Sequence, residues 1–510
     1  EEFAKGLHEF GVELISKRQG PPRDEIKISK PSITPIVTNR DTASQFLTEI
    51  VNMPVKPIDP VFVDFQKDLR SATLANGAQL LYTRNTNNDL FDITFIYESG
   101  SWADRYLPYA AEYIKLIGTK DMTPAQVSEA FYSLACDFRV SVGGRRSYLV
   151  LSGLGANMTK ALQLLEKLLS EAVADQQVCD DYLNRLRKAR VDAKANQRSN
   201  FASLADYVRY GEEYVKAQSL SDEELNAITG EKLLGSLRDL TGLAHRIIYY
   251  GPQTEKEVIA ELDENHMKGV ELKEPSDFRK WMPLDTEETV IYVAPYDAKQ
   301  LYMTMLSTDP RRYDPAQHPY AEMYNEYFGG SMNSIVFQEM REARSLAYSA
   351  WAVLVEPSRL DTPYSYQSQI ATQNDKLMDA VDAFNSIIND MPQSDAAFRL
   401  AKNAIESRLR TERVIDDNIA WSYIRDEDLG LAPSLDGNGK NRSAGLNRDR
   451  QLFEALPGMT LEGLVEFQQK NVKGKNYRYG ILGKTEDLDL DAISRLGRVV
   501  LLTPEQIFGY

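Results

Sequence analysis

Two stretches of the chain repeat the same residues at a fixed spacing, and this repeat limits the architecture more than any other feature does. Each stretch begins Pro-Tyr-Ala, has a second Tyr four residues after the first, and reaches a Gly five residues later. The first begins at Pro108 and the second at Pro319, an offset of 211 (319 − 108). A helical pair (158–197 against 377–412) and a final strand (245–251 against 477–483) recur at similar offsets. The chain is therefore predicted to contain two homologous α+β units.

The segment before these units differs from them in its residue pattern. Residues 1–17 place apolar side chains three or four positions apart, which predicts an amphipathic helix. Prolines then recur up to residue 60, which favours an extended tether with one short helix near residues 43–51. We predict a tether over residues 1–61, a first domain over 62–275 and a second over 283–510.

Local signals within the first unit support a compact α+β domain. Apolar runs predict strands at 78–84 and 91–98, and Thr123-Pro124 is typical of a helix start. A hairpin is expected to turn at Gly143-Gly144. In the second unit, residues 433–450 contain two closely spaced glycines and predict a long loop.

Composition excludes some classes of function. The chain has 59 Lys and Arg against 75 Asp and Glu, a net charge of −16, which disfavours binding to nucleic acid. No run approaches the roughly 20 apolar residues of a membrane span, and two cysteines are too few for a disulfide framework. The first residue is Glu1, without an initiating Met or an apolar leader, so we interpret the chain as a piece of a longer protein.

One run in the second unit resembles a known family signature. Residues 327–334 read Tyr-Phe-Gly-Gly-Ser-Met-Asn-Ser, and residues 337–349 read Phe-Gln-Glu-Met-Arg-Glu-Ala-Arg-Ser-Leu-Ala-Tyr-Ser. This run resembles the C-terminal-domain signature of the insulinase/pitrilysin zinc peptidases, Gly-Gly-Gly-Met-Ser-Ser-Arg-Leu-Phe followed by Arg-Glu-x-Arg-Gly-Leu-Ala-Tyr. The resemblance extends from residue 62 to the C-terminus. It implies two insulinase-type α/β domains with antiparallel-rich sheets, in one half of a clamshell that closes around a peptide.

The resemblance also shows what is missing. Such peptidases bind Zn²⁺ with a His-x-x-Glu-His motif on a helix, whose Glu is the general base. The matching positions here are Tyr109, Glu112 and Tyr113, so both ligand histidines are absent. No Glu lies between residues 171 and 212, where a third ligand is expected, and no two of the four histidines are four residues apart. The helix that should carry the third ligand is instead basic, with Arg185, Arg187, Lys188 and Arg190.

We therefore predict no metal ligands and no cofactor in this chain, and expect zinc in a missing N-terminal half. Glu112 has an alternative reading as a helix-surface carboxylate, which we favour over a relic of the catalytic base.

Arg341 and Tyr348 are the candidate catalytic residues. By resemblance, an Arg and a Tyr seven positions apart reach from the last domain toward the zinc site of the first. A guanidinium donates to a substrate carbonyl without losing its proton, and a phenol stabilises a developing oxyanion. The alternative is an exposed helix-end Arg and a half-buried strand Tyr. Ser345 replaces a family Gly and Ile335 a common Arg, so the loop geometry is expected to differ.

Two further features have both a functional and a structural interpretation. Gly329 and Gly330 are a candidate substrate loop, although a Gly pair after a helix is more often a C-cap and turn. The basic residues within 185–198 are candidates for docking an acidic partner surface, although most such runs are solvated helix faces.

The leading hypothesis is the C-terminal half of a zinc-dependent endopeptidase, contributing substrate and transition-state contacts but no metal. Its partners would be a zinc-bearing N-terminal half, in the same polypeptide or a separate subunit, and peptide substrates. Family resemblance favours the bacterial periplasm over the cytoplasm. The alternative is a stand-alone, non-catalytic subunit that binds peptides or assembles a peptidase complex.

Overall fold

The structure is a computed structural model that describes residues 44–51, 53, 54, 56–347, 349–435 and 445–510. Residues 1–57 form one unit, in which helix α1 (Gln45–Val51) corresponds to the short helix predicted near residues 43–51. The predicted helix over residues 1–17 lies outside the described residues. Residues 58–510 form a second unit that contains both repeats.

The first repeat contains a six-stranded mixed sheet. Its strand order is β1-β2-β6-β3-β5-β4, in which β2 and β6 are parallel and the other neighbours are antiparallel. Buried residues on its strands form one large core together with the helices of this repeat. The strands are β1 (Arg70–Thr73), β2 (Gln79–Arg84), β3 (Leu90–Tyr97), β4 (Cys136–Val142), β5 (Ser147–Leu154) and β6 (His245–Gly251).

The helices of the first repeat follow the expected signals. The Thr123 hydroxyl and the Gln126 side chain form a capping box at the start of α4, as Thr123-Pro124 predicted. The helices are α2 (Phe65–Asp68), α3 (Leu107–Tyr113), α4 (Pro124–Ser133), α5 (Met158–Glu171), α6 (Gln176–Lys194), α7 (Gln197–Tyr210), α8 (Glu212–Gln218), α9 (Asp222–Asn226), α10 (Gly230–Thr241) and α11 (Glu255–Asn265).

The second repeat contains a second six-stranded sheet, of order β12-β7-β11-β8-β10-β9. The order β2-β6-β3-β5-β4 of the first sheet corresponds to β7-β11-β8-β10-β9 here, so the duplication and the mixed α+β fold are confirmed. The sixth strands differ, because β1 is antiparallel to β2 whereas β12 is parallel to β7. The strands are β7 (Val290–Pro295), β8 (Gln300–Asp309), β9 (Ser349–Val355), β10 (Tyr364–Gln373), β11 (Arg478–Gly483) and β12 (Arg498–Leu501).

The helices of the second repeat repeat the first pattern with one departure. The segment that contains Arg341 begins as one α-helical turn, α13, and continues as a π-helix over Gln338–Ala343. The exact domain boundaries stay a prediction. The helices are α12 (His318–Phe328), α13 (Ile335–Phe337), α14 (Leu377–Asn389), α15 (Asp395–Thr411), α16 (Asn418–Asp428), α17 (Arg448–Ala455), α18 (Leu461–Asn471), α19 (Leu490–Ser494) and α20 (Pro504–Phe508).

Both faces of the second sheet are buried, as strand β8 shows. Leu301, Met303 and Met305 alternate along the strand and lie in the main core with the helices of the second repeat. Tyr302 and Leu306 point to the opposite face and belong to a separate cluster built around α7. A helix of the first repeat therefore covers the second sheet.

The exchange of helices is reciprocal. α16 belongs to the second repeat by sequence, yet Ala420, Tyr423 and Ile424 pack against Leu81 and Ile248 of the first sheet. α7 and α16 follow the long helices α6 and α15 and so occupy equivalent places in the two repeats. Each repeat thus buries the outer face of the other's sheet.

One arginine on each sheet forms a hydrogen bond to the helix that the other repeat packs against that sheet. The Arg478 side chain on β11 donates to the Val208 carbonyl oxygen of α7 over 2.8 Å. Arg246, at the matching place on β6, donates to the Glu427 carboxylate of α16 over 2.6 Å. Arg146 adds a two-pronged pair with Asp428, at 2.6 and 2.8 Å, where both side chains are only 13% exposed. Bidentate, partly buried pairs of this kind fix geometry better than exposed ones.

Substitution at Gly480 tests the exchanged packing. A Cβ at this position would lie 2.9 Å from a Val208 methyl group and 3.3 Å from the Leu204 Cγ. We expect Gly480→Val to lower the free energy of unfolding by about 1–3 kcal/mol, because α7 must move off the sheet. Urea unfolding measures this change. Gly235→Ala in α10, where a Cβ meets nothing within 4 Å, is the control and should be neutral or stabilising; equal losses in both variants would contradict the packing account.

A buried pair of histidines lies inside the first repeat. His245 Nδ1 donates to the Leu243 carbonyl oxygen (2.7 Å), so its Nε2 accepts from His266 Nε2 at 2.8 Å. His266 Nδ1 lies 2.5 Å from the Glu166 carboxylate. Burial, and then the neighbouring His266, lower the pKa of His245 from 6.5 to about 4. The neutral form of His245 is therefore the one that fits the fold.

This pair predicts a pH dependence of stability. His245 binds a proton more readily in the unfolded chain than in the folded one, so its contribution is complete above pH 6.5 and is lost as the pH falls toward 4. The loss should approach about 3 kcal/mol, from 1.36 kcal/mol per pH unit. Urea unfolding at pH 7, 6 and 5 should show a smaller decline in His245→Gln than in the unsubstituted chain. The same decline in both proteins would contradict this role for His245.

Candidate functional site

The positions that match the zinc motif lie on α3, and the buried one is already engaged. Tyr113 is fully buried, and its hydroxyl donates to the Asp175 carbonyl oxygen (2.9 Å) and accepts from the Asp175 N–H (3.1 Å). Burial raises the pKa of Tyr113 above its usual value, which disfavours the phenolate that would bind a metal. Asp175 caps α6, so Tyr113 ties α3 to the next helix pair.

The other two motif positions lie nearer the surface. Glu112 is exposed and pairs with Lys115 at 2.9 Å, which agrees with the helix-surface interpretation. Tyr109 is half-buried. Burial, followed by the nearby Glu112 carboxylate, raises the pKa of Tyr182 on α6. This end of α3 therefore presents phenols and one carboxylate that already has a cationic partner.

Two basic residues in the second half of α6, Arg190 and Lys194, are used within the chain. Arg190 lies 4.2 Å over the ring of Tyr510, donates to the Leu220 carbonyl oxygen, and pairs with Asp222 at 3.1 Å. Lys194 donates to the Tyr510 carbonyl oxygen over 2.7 Å. These cations hold the end of the second repeat against the first, which weakens the case for a free docking surface on α6.

Arg341 lies on the π-helical turn between α13 and β9. Its guanidinium is 4.9 Å from the ring centre of Phe337, its Nε is 3.8 Å from a Glu342 carboxylate oxygen, and its side chain is 37% exposed. Met340 beside it is fully buried, and its carbonyl oxygen accepts from the Leu346 and Ala347 N–H groups. The turn is thus anchored by one apolar side chain, while the Arg341 side chain stays partly exposed. π-Helical turns of this kind occur frequently at functional sites.

Tyr348 lies outside the described residues, so its catalytic role stays a prediction. The described strand resumes at Ser349, which pairs with Ala371 of β10. Thr372 on β10 donates to the Leu346 carbonyl oxygen over 2.6 Å, so the chain on both sides of position 348 is attached to the second sheet.

The Gly329-Gly330 pair ends α12 against β9. A Cβ on Gly329 would overlap the Ala352 carbonyl oxygen, so only glycine permits this close approach. The Asn325 side chain, one turn earlier, accepts from the Leu354 N–H (2.8 Å) and donates to its carbonyl oxygen (2.9 Å). These contacts support the structural interpretation of the Gly pair, whose role as a substrate loop stays a prediction. Sequence reasoning missed Asn325, for which the only signal was an Asn near a helix end.

The first sheet has a cleft at the edge that β1 forms. Among the described strands, β1 is an edge strand whose one neighbour is β2, and a cleft of about 670 Å³ lies beside it. The cleft is lined by Ser71, Ala72 and Thr73 of β1 and by residues 432–435 that follow α16. A strand edge with space beside it can accept an extended peptide by backbone hydrogen bonds.

The backbone conformation of Ser345 explains why the family signature has a glycine at this position. Its φ is +50°, in the left-handed region that favours glycine, and it lies directly after the π-helical turn. The departure from the family Gly therefore places a strained residue three positions before Tyr348.

Ser345→Gly is expected to stabilise the chain by about 0.5–1 kcal/mol, because it relieves the left-handed strain. Thermal or urea unfolding measures the change. Ser133→Gly, at the end of α4 with helical geometry, is the matched control and should destabilise by about 0.5 kcal/mol. A loss of stability in Ser345→Gly would show that the backbone does not hold this conformation in solution.

None of the described helices is long and apolar enough to cross a lipid bilayer. A family model described as "Peptidase M16 inactive domain" matches residues 246–405, a range that includes Arg341. No curated protein matches the chain.

Solved structures share the fold. The peptidase M16 inactive domain from Pseudomonas fluorescens is 16% identical with a TM-score of 0.61, over 82% of this chain and 98% of that one. The ferredoxin protease FusC, solved with Arabidopsis ferredoxin, is 12% identical with a TM-score of 0.62, over 95% of this chain and 50% of that one. The periplasmic protease PqqL from Escherichia coli is 14% identical with a TM-score of 0.60, over 89% of this chain and 49% of that one.

This chain thus spans almost the whole of the inactive domain but only about half of each of the two proteases. The matched family model and the shared fold together confirm the predicted resemblance: the chain has the fold of the insulinase/pitrilysin (M16) peptidases, and its matched region is of the inactive-domain type.

Proposed function

We propose that this chain is the half of a zinc-dependent endopeptidase of the insulinase/pitrilysin type that lacks the catalytic metal. Peptide bonds would be hydrolysed in a chamber enclosed by two halves, with zinc and the general base in the other half. Two proteases of twice this length align with the chain over half of their length, which supports a partner half. The partner would be joined in the same polypeptide or bound as a separate subunit.

Arg341 on its anchored π-helical turn is the observation that carries the proposal. The buried Met340 fixes the backbone, and Phe337 supports the guanidinium from below. A permanently charged donor held in this way loses little entropy when it binds a substrate carbonyl. Tyr348 would stabilise the oxyanion that forms as water attacks that carbonyl.

The sheet edges suggest how the peptide is held. Ala352 and Leu354 on the edge of β9 already contact Gly329 and Asn325, which leaves little room for an added strand there. Beside β1, in contrast, a cleft of about 670 Å³ leaves space next to the strand. We therefore place an extended segment of the substrate along β1.

A periplasmic location is part of the proposal. It rests on the resemblance and on one aligned protease, PqqL, which is described as periplasmic. The alternative, a stand-alone peptide-binding or assembly subunit, predicts the same fold but no kinetic role for Arg341.

The test is peptide hydrolysis by the complete enzyme, with both halves present. Arg341→Ala should lower kcat/KM by about 10- to 1000-fold, the range for loss of a transition-state donor. Tyr348→Phe should also lower it. The matched control is Arg344→Ala on the same turn, where Arg344 lies 3.4 Å from Glu339 and is 46% exposed; its rate should change less than threefold.

The melting temperature of all three variants should equal that of the unsubstituted protein, which separates a kinetic effect from a folding defect. Unchanged kcat/KM in Arg341→Ala, or equal losses in Arg341→Ala and Arg344→Ala, would remove the assigned role and favour the non-catalytic alternative.

A further inference from the structure

Three potential metal ligands converge in the second repeat, away from the motif positions on α3. His318 is the first residue of α12, Glu322 lies one turn later on the same helix, and Glu356 directly follows β9. One ligand atom from each residue lies within 4.8 Å of the other two. Residues four apart share a helix face, so α12 presents two ligands toward the end of β9.

Two of the three side chains are largely buried. The side chains of His318 and Glu356 are 7% and 13% exposed, and His318 Nδ1 lies 2.6 Å from Glu356 Oε2. The second carboxylate oxygen of Glu356, Oε1, is buried and has no hydrogen-bond partner among the residues that the structure describes. A buried carboxylate oxygen without a partner costs free energy. A bound cation would remove that cost.

The surrounding charges leave one carboxylate uncompensated. Arg408 donates to Glu322 Oε2 over 2.9 Å, so the charge of Glu322 is already balanced. His318 is the only ion-pair partner of Glu356 among the described residues, and its ring is cationic only when both nitrogens carry a proton. Asp426, also buried, lies near His318 and is 3.6 Å from Arg448. The local balance therefore depends on whether His318 holds a proton or Glu356 faces another cation.

We propose that His318, Glu322 and Glu356 bind a divalent cation of the zinc class. An imidazole nitrogen with two carboxylate oxygens is a donor set that suits Zn²⁺, and three protein ligands leave a position for water. The cation would displace the proton between His318 Nδ1 and Glu356 Oε2. In a neutral ring that proton moves to Nε2, and in a doubly protonated ring it leaves to solvent, so in both cases the bound imidazole carries one proton on Nε2. The ligands would separate slightly, since two atoms bound at about 2.0–2.2 Å lie farther apart than a hydrogen-bonded pair.

Such a cation would support the candidate site by linking two of its elements. It would join the start of α12 to the end of β9 and so tie together the two ends of the chain segment 319–355. That segment contains Gly329, Gly330, Arg341 and Tyr348. Closing a loop at its base lowers the entropy of its open forms, which would hold the π-helical turn in place. The inference does not depend on the proposed function, because it concerns binding and stability rather than hydrolysis.

The test is isothermal titration of Zn²⁺ into the full chain, made without a polyhistidine tag and first treated with chelator. We expect one Zn²⁺ per chain and a rise in melting temperature. Glu356→Gln should weaken Zn²⁺ binding at least 100-fold. The matched control is Glu166→Gln, since Glu166 forms the other buried His–Glu pair, with His266 at 2.5 Å, but belongs to no such group of three; it should bind Zn²⁺ as the unsubstituted chain does.

Glu322→Gln provides a second variant at a more exposed side chain, 35% accessible, and should weaken binding at least tenfold if Glu356→Gln does not fold. The proposal is overturned if the unsubstituted chain binds no Zn²⁺ at one equivalent, which would leave a simple His–Glu ion pair. It is also overturned if Glu356→Gln or Glu322→Gln binds as tightly as the Glu166→Gln control.

Discussion

The reciprocal packing of α7 on the second sheet and α16 on the first is the interaction on which the rest of the structure depends. Each sheet has helices of its own repeat on one face, and the other face would be open to water without the helix of its neighbour. Gly480 gives α7 room to approach, while Ile248 at the matching place in the first sheet fills the space beneath α16. Burial of apolar surface on both sheets therefore requires both repeats together.

This arrangement determines where the candidate site lies. Because the second sheet is held on both faces, its edge strand β9 and the adjoining end of α12 form a firm base. The π-helical turn with Arg341 projects from that base, anchored by Met340 and by the Leu346 and Ala347 N–H groups. In the first repeat the equivalent helix end is closed, since Tyr113 binds Asp175 and the basic residues of α6 hold Tyr510. The same fold thus presents the candidate turn with Arg341 in one repeat and a structural joint in the other.

The sequence allowed the repeated fold to be predicted, because strand runs, the Thr123 cap and the fixed offset are local signals. It did not reveal the exchange of helices, since an amphipathic pattern shows that a face is buried but not which sheet buries it. The helical pair predicted over 158–197 ran across the break at Asn196, whose side chain caps α7. The π winding of residues 338–343 depends on tertiary contacts of Met340. Glu356 is 34 residues from Glu322 (356 − 322), so no spacing rule could join it to the His318 group.

The central claim is that this chain completes an active site whose metal lies elsewhere. The most direct measurement is peptide hydrolysis by this chain alone, by a zinc-bearing half alone, and by the two combined over a range of concentrations. The account predicts no turnover by this chain alone and a saturable rise in kcat/KM as it is added to the zinc-bearing half. Chelator-sensitive hydrolysis by this chain alone, or a zinc-bearing half that is equally active without it, would contradict the account.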